Sequence, residues 1–176
     1  MKLANNFEKI LLAFNTHKVD FIIAGGYAVI FHGYGRTTGD LDIWVNPSAD
    51  NKEKIIAAFK KLKLPSELNE YIQNIDFTKP FAVKLGNEPI QVDVFNAITG
   101  VKYDEAEKNS IPYKYSEKLE VRFIHLHDLM VNKMLTGRLK DKADVEELQK
   151  INIHSKNKNV ISVLNSGKSC ERKPRL

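Results

Sequence analysis

Residues 20–45 read DFIIAGGYAVIFHGYGRTTGDLDIWV, and most of the architecture follows from them. DFIIAGG (20–26) is a short apolar run halted by two glycines, the pattern of a buried strand that ends in a turn. YAVIFHGYG (27–35) follows as a short helix closed by Gly33 and Gly35. DLDIWV (40–45) then alternates, with Leu41, Ile43 and Val45 on one wholly apolar face and Asp40, Asp42 and Trp44 on the other. Two aspartates at this spacing on a strand set their carboxylates side by side. Like charges so crowded are costly unless a cation neutralises them, and oxygen ligands favour magnesium, manganese or calcium.

A second strand repeats the pattern. FAVKL (81–85) and IQVDVF (90–95) flank Gly86-Asn87-Glu88-Pro89 and form a hairpin. Ile90, Val92 and Val94 share one face; Gln91, Asp93 and Phe95 share the other. If 90–95 pairs beside 40–45, Asp93 joins Asp40 and Asp42 on one surface, and Lys84, of matching parity across the turn, stands there too. Upstream, Gly25 and Gly26 permit close backbone approach, and the N-terminus of the helix after them offers free N–H groups to an anion.

The remaining segments supply the frame. Leu3, Phe7, Ile10, Leu11 and Phe14 recur at helical spacing, which predicts a helix over 5–17. Pro47 and Ser48 open another, with Ile55, Ile56, Phe59 and Leu62 on its inner face. One or two short strands are expected over 111–124, and helices over 126–136 and 141–151. The order α-β-α-β-α-ββ-β-αα argues for an α/β (α+β) fold, a mixed sheet flanked by helices with short helices at the C-terminal end. The hairpin disfavours a purely parallel, doubly wound sheet.

The 176 residues, 43% hydrophobic and 28% charged, fit one soluble domain. No run approaches the roughly 20 apolar residues of a membrane span. MKLANNFEKILLAF places Glu8 and Lys9 where a signal peptide would be apolar, so neither export nor membrane attachment is expected. The single cysteine, Cys170, fits a reducing cytoplasm. The net charge of +5 is unevenly placed: beyond residue 154 stand six basic residues and one acid, Glu171, whereas residues 1–154 hold 21 of each sign. The expected organisation is a balanced domain, 1–154, and a basic, flexible tail, 155–176.

Ala24-Gly25-Gly26, thirteen intervening residues and Asp40-Leu41-Asp42-Ile43 together resemble the signature of the nucleotidyltransferase superfamily related to DNA polymerase β, with Asp93 in QVDVF as the later third acid. GGYAVIFHGYGRTTGDLDIWV looks similar to the AbiEii-type and minimal nucleotidyltransferases of bacteria, in which an Arg-x-Thr-x-Asp-hydrophobic-Asp segment is common; here it is matched by Arg36-Thr37-Thr38-Gly39-Asp40-Leu41-Asp42. Lys133 and the stretch Arg138 to Asp144 resemble that family's downstream Lys and Arg/Lys-x-x-Asp motifs. The resemblance spans residues 20–150. It implies nucleotidyl transfer with two magnesium ions, or manganese in their place, held by Asp40, Asp42 and Asp93, with Asp93 also helping to deprotonate an acceptor hydroxyl. Two such cations stabilise both the attacking and the leaving oxygen of an in-line displacement. Gly25, Gly26, Arg36, Thr37, Lys84 and Lys133 are the expected contacts to an NTP such as ATP. The acceptor stays open between an RNA end, a protein and a small molecule. The AbiEii likeness implies a toxin–antitoxin or defence setting with a toxin or antitoxin partner. The competing expectation is a nucleotide- or partner-binding module without turnover.

Other residues have ordinary explanations. Asp141 and Asp144 fall in a helix's first turn, where acids favour the macrodipole. His125 and His127 read as helix-start residues, and His32 and Trp44 as packing. Lys60, Lys61 and Lys63 make a solvated helix end.

Overall fold

The computed structural model describes the backbone of residues 5–87 and 90–166 and the side chains of 6–86 and 91–154. Its elements run α1 (Asn5–Thr16), β1 (Phe21–Ile23), α2 (Gly25–Phe31), β2 (Asp40–Val45), α3 (Ala49–Lys61), α4 (Ser66–Asn74), β3 (Ala82–Asn87), β4 (Ile90–Phe95), α5 (Tyr103–Asn109), β5 (Ile111–Ser116), β6 (Leu119–Phe123), α6 (Leu126–Thr136) and α7 (Leu139–Ser166). The strands form one mixed sheet in the order β3-β4-β2-β1-β6-β5. β2 runs parallel to β4 and β1 parallel to β6, while the other neighbours are antiparallel.

Register explains the two faces of this sheet. Leu85 and Val83 lie opposite Val92 and Val94, which lie opposite Leu41 and Ile43; Ile43 and Val45 in turn lie opposite Ile23 and Phe21, and Ile23 opposite Phe123. All of these are buried, so one face is a continuous apolar layer. Helices cover it. Phe14 of α1 packs its ring against Phe21 and against Phe59 of α3, Phe7 meets Tyr27 of α2, and Phe31 stacks on Phe123 with centroids 4.2 Å apart. Burying six of these seven rings, with Phe31 partly buried beside them, supplies much of the driving force for folding.

The opposite face carries Ile22, Trp44, Asp42, Asp40, Asp93 and Lys84. α5 covers only its apolar part: Trp44 meets Tyr103 edge-to-face at 5.2 Å. Desolvation there raises the Tyr103 hydroxyl pKa, with Glu107 adding to the effect. The acidic part of the face is left open, and position on the sheet therefore selects where a ligand can approach.

Local signals set the boundaries. Ser48 caps α3 by accepting the Asn51 N–H, and fully buried Asn51 bonds both the N–H and the carbonyl of Asp20. His125 caps α6 by accepting the His127 N–H at 3.2 Å, and Gly137 closes α6 in the left-handed conformation. Two helices stand where the pattern gave none. α4 offers the apolar pair Leu68 and Ile72 in an otherwise polar stretch, and seven-residue α5 buries only Tyr103 and Ala106. α2 begins at Gly25, so the two glycines form the helix's first turn and do not precede it. α7 continues past residue 151, where hydrophobic periodicity fades, to Ser166. Of the expected basic tail, residues 167–176 and the side chains from 155 onward lie outside the described residues, Cys170 among them.

Candidate active site

Parallel pairing of β2 with β4 puts Asp42 directly opposite Asp93, and Asp40 opposite Gln91. Antiparallel pairing of β3 with β4 puts Lys84 opposite Asp93, with Lys84 Nζ 4.0 Å from Asp93 Oδ2. Asp40 is exposed, whereas Asp42 and Asp93 are partly buried. Burial raises the Asp42 carboxyl above its ordinary pKa and the charges of Asp93 and Asp40 add to this, against the Gly26 N–H and Lys133, which favour ionisation. Burial likewise raises Asp93, with Lys84 opposing and Asp40 reinforcing. Asp93 Oδ1 is buried and has no hydrogen-bond partner among the described residues. Groups of this kind are what an incoming cation or donor would satisfy.

The glycine pair shapes this carboxylate patch. Gly25 has φ +53°, and a Cβ there would land inside the Asp42 carboxylate. Gly26 donates its N–H to Asp42 Oδ2 at 3.3 Å. A Cβ on Gly26 would collide with the Thr38 hydroxyl and crowd Arg36. The two glycines thus let β2 and the loop before it close onto the first turn of α2.

Behind them lies a buried ion network. Arg36 Nη2 donates to Asp144 Oδ2 at 3.0 Å, and its Nε lies 2.7 Å from Oδ1 without hydrogen-bond alignment. Lys133 Nζ sits between Asp141 Oδ1 at 2.7 Å and Asp144 Oδ2 at 2.8 Å. Asp141 Oδ2 also accepts from Thr136 at 2.7 Å and from Arg138 at 2.6 Å. Lys133, Asp141 and Asp144 are all buried. Burial by itself would raise the Asp141 carboxyl, but the hydrogen bonds from Lys133, Thr136 and Arg138 outweigh it and pull the pKa to about 2. Three cations against two carboxylates leave one positive charge in excess beside the aspartate patch.

A cleft of about 600 Å³ joins these parts. Gly25, Gly26, Arg36, Asp40, Asp42, Asp93 and Lys133 all line it, with Thr38, Arg138, Lys140 and Asp141. Phe81, Ala82, Phe95 and Ile98 make its apolar wall, a mixture suited to a small ligand with a charged and an apolar end. Two expected contacts stand apart: Thr37 and Lys84 are not among its lining residues, Lys84 being 69% exposed at its side chain. Thr38, the third position of the segment that starts at Arg36, is the threonine that reaches the cleft. Among the described residues no three His, Cys, Asp or Glu side chains converge closely enough to form a metal site as they stand. The three aspartates share a patch without closing on a point.

The family described as nucleotidyltransferase of unknown function (DUF6036) matches residues 1–160. The chain belongs to this family. A search of curated proteins gave no match. Membership of the nucleotidyltransferase family accords with the α+β fold of a mixed sheet and flanking helices and supports a general role in nucleotidyl transfer, with nucleotides as the substrate class.

In this nucleotidyltransferase-family chain, Asp141 and Asp144 carry more than their place at a helix start suggests. Expected as acids of a helix's first turn, they are 2% and 1% exposed and paired with cations. The signal was their helical spacing: 141, 144, 145 and 148 form one stripe, and Val145 and Leu148 on it are buried. Asn96 was also missed. It is buried and binds the Phe81 N–H and the carbonyls of Phe77 and Lys79, so it fixes the segment that leads into the cleft's apolar wall.

Proposed function

We propose that this domain transfers a nucleoside monophosphate from an NTP, with magnesium (or manganese), to the hydroxyl of an acceptor. The observation that carries the reading is the β2–β4 register, which stands Asp42 opposite Asp93 in a cleft that Arg36 and Lys133 also line. A purely structural use of these acids is disfavoured by their environment. Asp42 and Asp93 are held against burial and one another, and Asp93 Oδ1 lacks a partner among the described residues.

The donor set fits the cation. It is all oxygen, it includes a buried oxygen with no partner among the described residues, and the carboxyl pKa values are raised by burial first and by neighbouring carboxylates second, a cost that a divalent ion would offset. Asp40 and Asp42 would hold ions shared with the triphosphate, and Asp93 would hold one on the acceptor side. Bound magnesium would screen the phosphate oxygens and acidify the attacking hydroxyl. The chain's own residues do the rest. Arg36 and Lys133 supply fixed positive charge for the triphosphate, and the Asp93 carboxylate receives the hydroxyl proton. The acceptor oxygen bonds to the α-phosphorus, the bond from that phosphorus to the bridging oxygen of the β-phosphate breaks, and pyrophosphate leaves with the electron pair. Positioning and charge neutralisation suffice for such chemistry, without a protein nucleophile.

The resemblance to AbiEii-type proteins supports a toxin–antitoxin or defence setting, with an antitoxin or toxin partner, as part of the same proposal. A cytoplasmic location is also part of it; among the described residues, no helix is long and apolar enough to cross a membrane. The test is incubation with each α-labelled NTP, magnesium, and total RNA or lysate. Label on a macromolecule or small acceptor, lost with Asp42→Asn, supports transfer. Magnesium-dependent NTP binding with no label supports the second reading, a binding module, which the unconverged carboxylates favour.

A further inference from the structure

We infer that Asp144 is a positioning residue for the polyphosphate-facing cations of the cleft, an inference that rests on the nucleotidyl-transfer reading. Asp144 is 1% exposed and is not among the residues that line the cleft. It nevertheless holds two cations that do line it: Arg36, through both Nη2 and Nε, and Lys133 through Nζ. The three residues come from three separate parts of the chain: the loop before β2, α6 and α7. Asp144 is therefore the point at which α7 is tied to the loop that delivers Asp40 and Asp42.

The arrangement solves a physical problem. Arg36 and Lys133 have long, rotamer-rich side chains, and an anion site built from free ones would lose much of its binding energy to ordering them. A buried carboxylate removes that freedom in advance. It holds the guanidinium by a hydrogen bond from Nη2 and by an ion contact at Nε. Arg36 then stands close to Gly26, where an added Cβ would crowd its Nη2 at 3.3 Å. Asp141 assists Lys133 in the same way, but it lines the cleft itself, so its effects mix positioning with direct charge. Asp144 acts on a ligand only through Arg36 and Lys133.

This role makes a prediction whose sign separates it from the alternatives. Removing a negative charge from behind two cations makes the cleft more positive, so a purely electrostatic role predicts tighter polyanion binding to Asp144→Asn. A purely structural role predicts unchanged affinity per folded molecule. Positioning predicts weaker binding. The probe is inorganic tripolyphosphate with magnesium, titrated calorimetrically into the full chain at low temperature, with the folded fraction measured by circular dichroism. Asp144→Asn should lose at least tenfold in affinity. Asp144→Glu keeps the charge, moves it by one methylene and is the safer folder; it should lose about three- to tenfold, where an electrostatic role predicts wild-type affinity. In an Arg36→Met, Lys133→Met background the Asp144 substitutions should change affinity by less than twofold. Unchanged or tighter binding by the single variants overturns the inference, as does a wild type that does not bind tripolyphosphate. Tripolyphosphate binding without any nucleotidyl transfer would instead count against the catalytic reading alone.

Discussion

Replacing Asp141 with Asn removes one carboxylate from the buried network while keeping its shape. Asp141 accepts from Lys133, Thr136 and Arg138 within 2.7 Å, and its side chain is 3% exposed. Those donors hold its pKa at about 2, down from 3.8. A carboxyl whose folded pKa lies below its unfolded one stabilises the fold fully above the unfolded value. That stabilisation is lost as pH falls through the folded one. At neutral pH the contribution is about 2 kcal/mol, from 1.36 kcal/mol for each pKa unit. By pH 3 roughly half of it has gone, because the unfolded carboxyl is then mostly protonated and the folded one is not. For a chain of this length about 2 kcal/mol corresponds to a fall in Tm of about 4–8 °C. The assay is thermal unfolding of wild type and Asp141→Asn from pH 7 to pH 3 at fixed ionic strength. The variant should melt lower at pH 7, and the gap should narrow steadily on acidification. A gap that keeps its size across this range, or none at pH 7, would refute the assigned ion pairing.

Gly25→Ala should lose transfer activity by at least about 100-fold, since the new Cβ occupies the place of the Asp42 carboxylate and small displacements of reacting groups have costs of that order; steady-state assay with a circular dichroism control checks it. Asp42→Asn should abolish transfer yet raise the Tm of the chelator-treated protein by about 2–4 °C, the equivalent of about 1 kcal/mol. The sign follows from the raised pKa of Asp42, which makes its ionised form a cost in the folded state. Wild-type stability contributed by this group therefore grows as pH falls toward the carboxylate range, and Asp42→Asn lacks that dependence. Asn96→Ala leaves the Phe81 N–H and two carbonyls without their partner and should cost about 2–3 kcal/mol, read from the urea midpoint.

The sheet was legible because its strands obey simple rules. Leu41, Ile43, Val45, Val92 and Val94 alternate with polar neighbours, and parity alone put Asp40, Asp42 and Asp93 on the other face, which the register bears out. The short helices were not legible: α4 and α5 bury one or two side chains each, too few to leave a periodic signal. The ion network was hidden for a different reason. A charged residue is read as exposed by default, and Asp141, Asp144 and Lys133 are buried only because each finds its partners from another segment. The stripe of Asp141, Asp144, Val145 and Leu148 marks a buried face, but the pairing of Asp144 with Arg36 and Lys133 is tertiary and has no local pattern. Of the two adjacent threonines in this loop, Thr38 meets Gly26 and lines the cleft, a distinction that the sequence pattern does not make.

If the aspartate cleft moves a nucleotide, the phosphorus that reaches the acceptor is the α-phosphorus of the NTP. Parallel reactions with α-labelled and γ-labelled ATP, magnesium and lysate, followed by separation of acceptors from pyrophosphate, show which phosphorus is retained. If ATP serves as donor, the account predicts label on an acceptor from the α-position only, release of γ-label as pyrophosphate, and loss of both with Asp42→Asn. Acceptor labelling from the γ-position, or α-labelling that persists in Asp42→Asn, would contradict it.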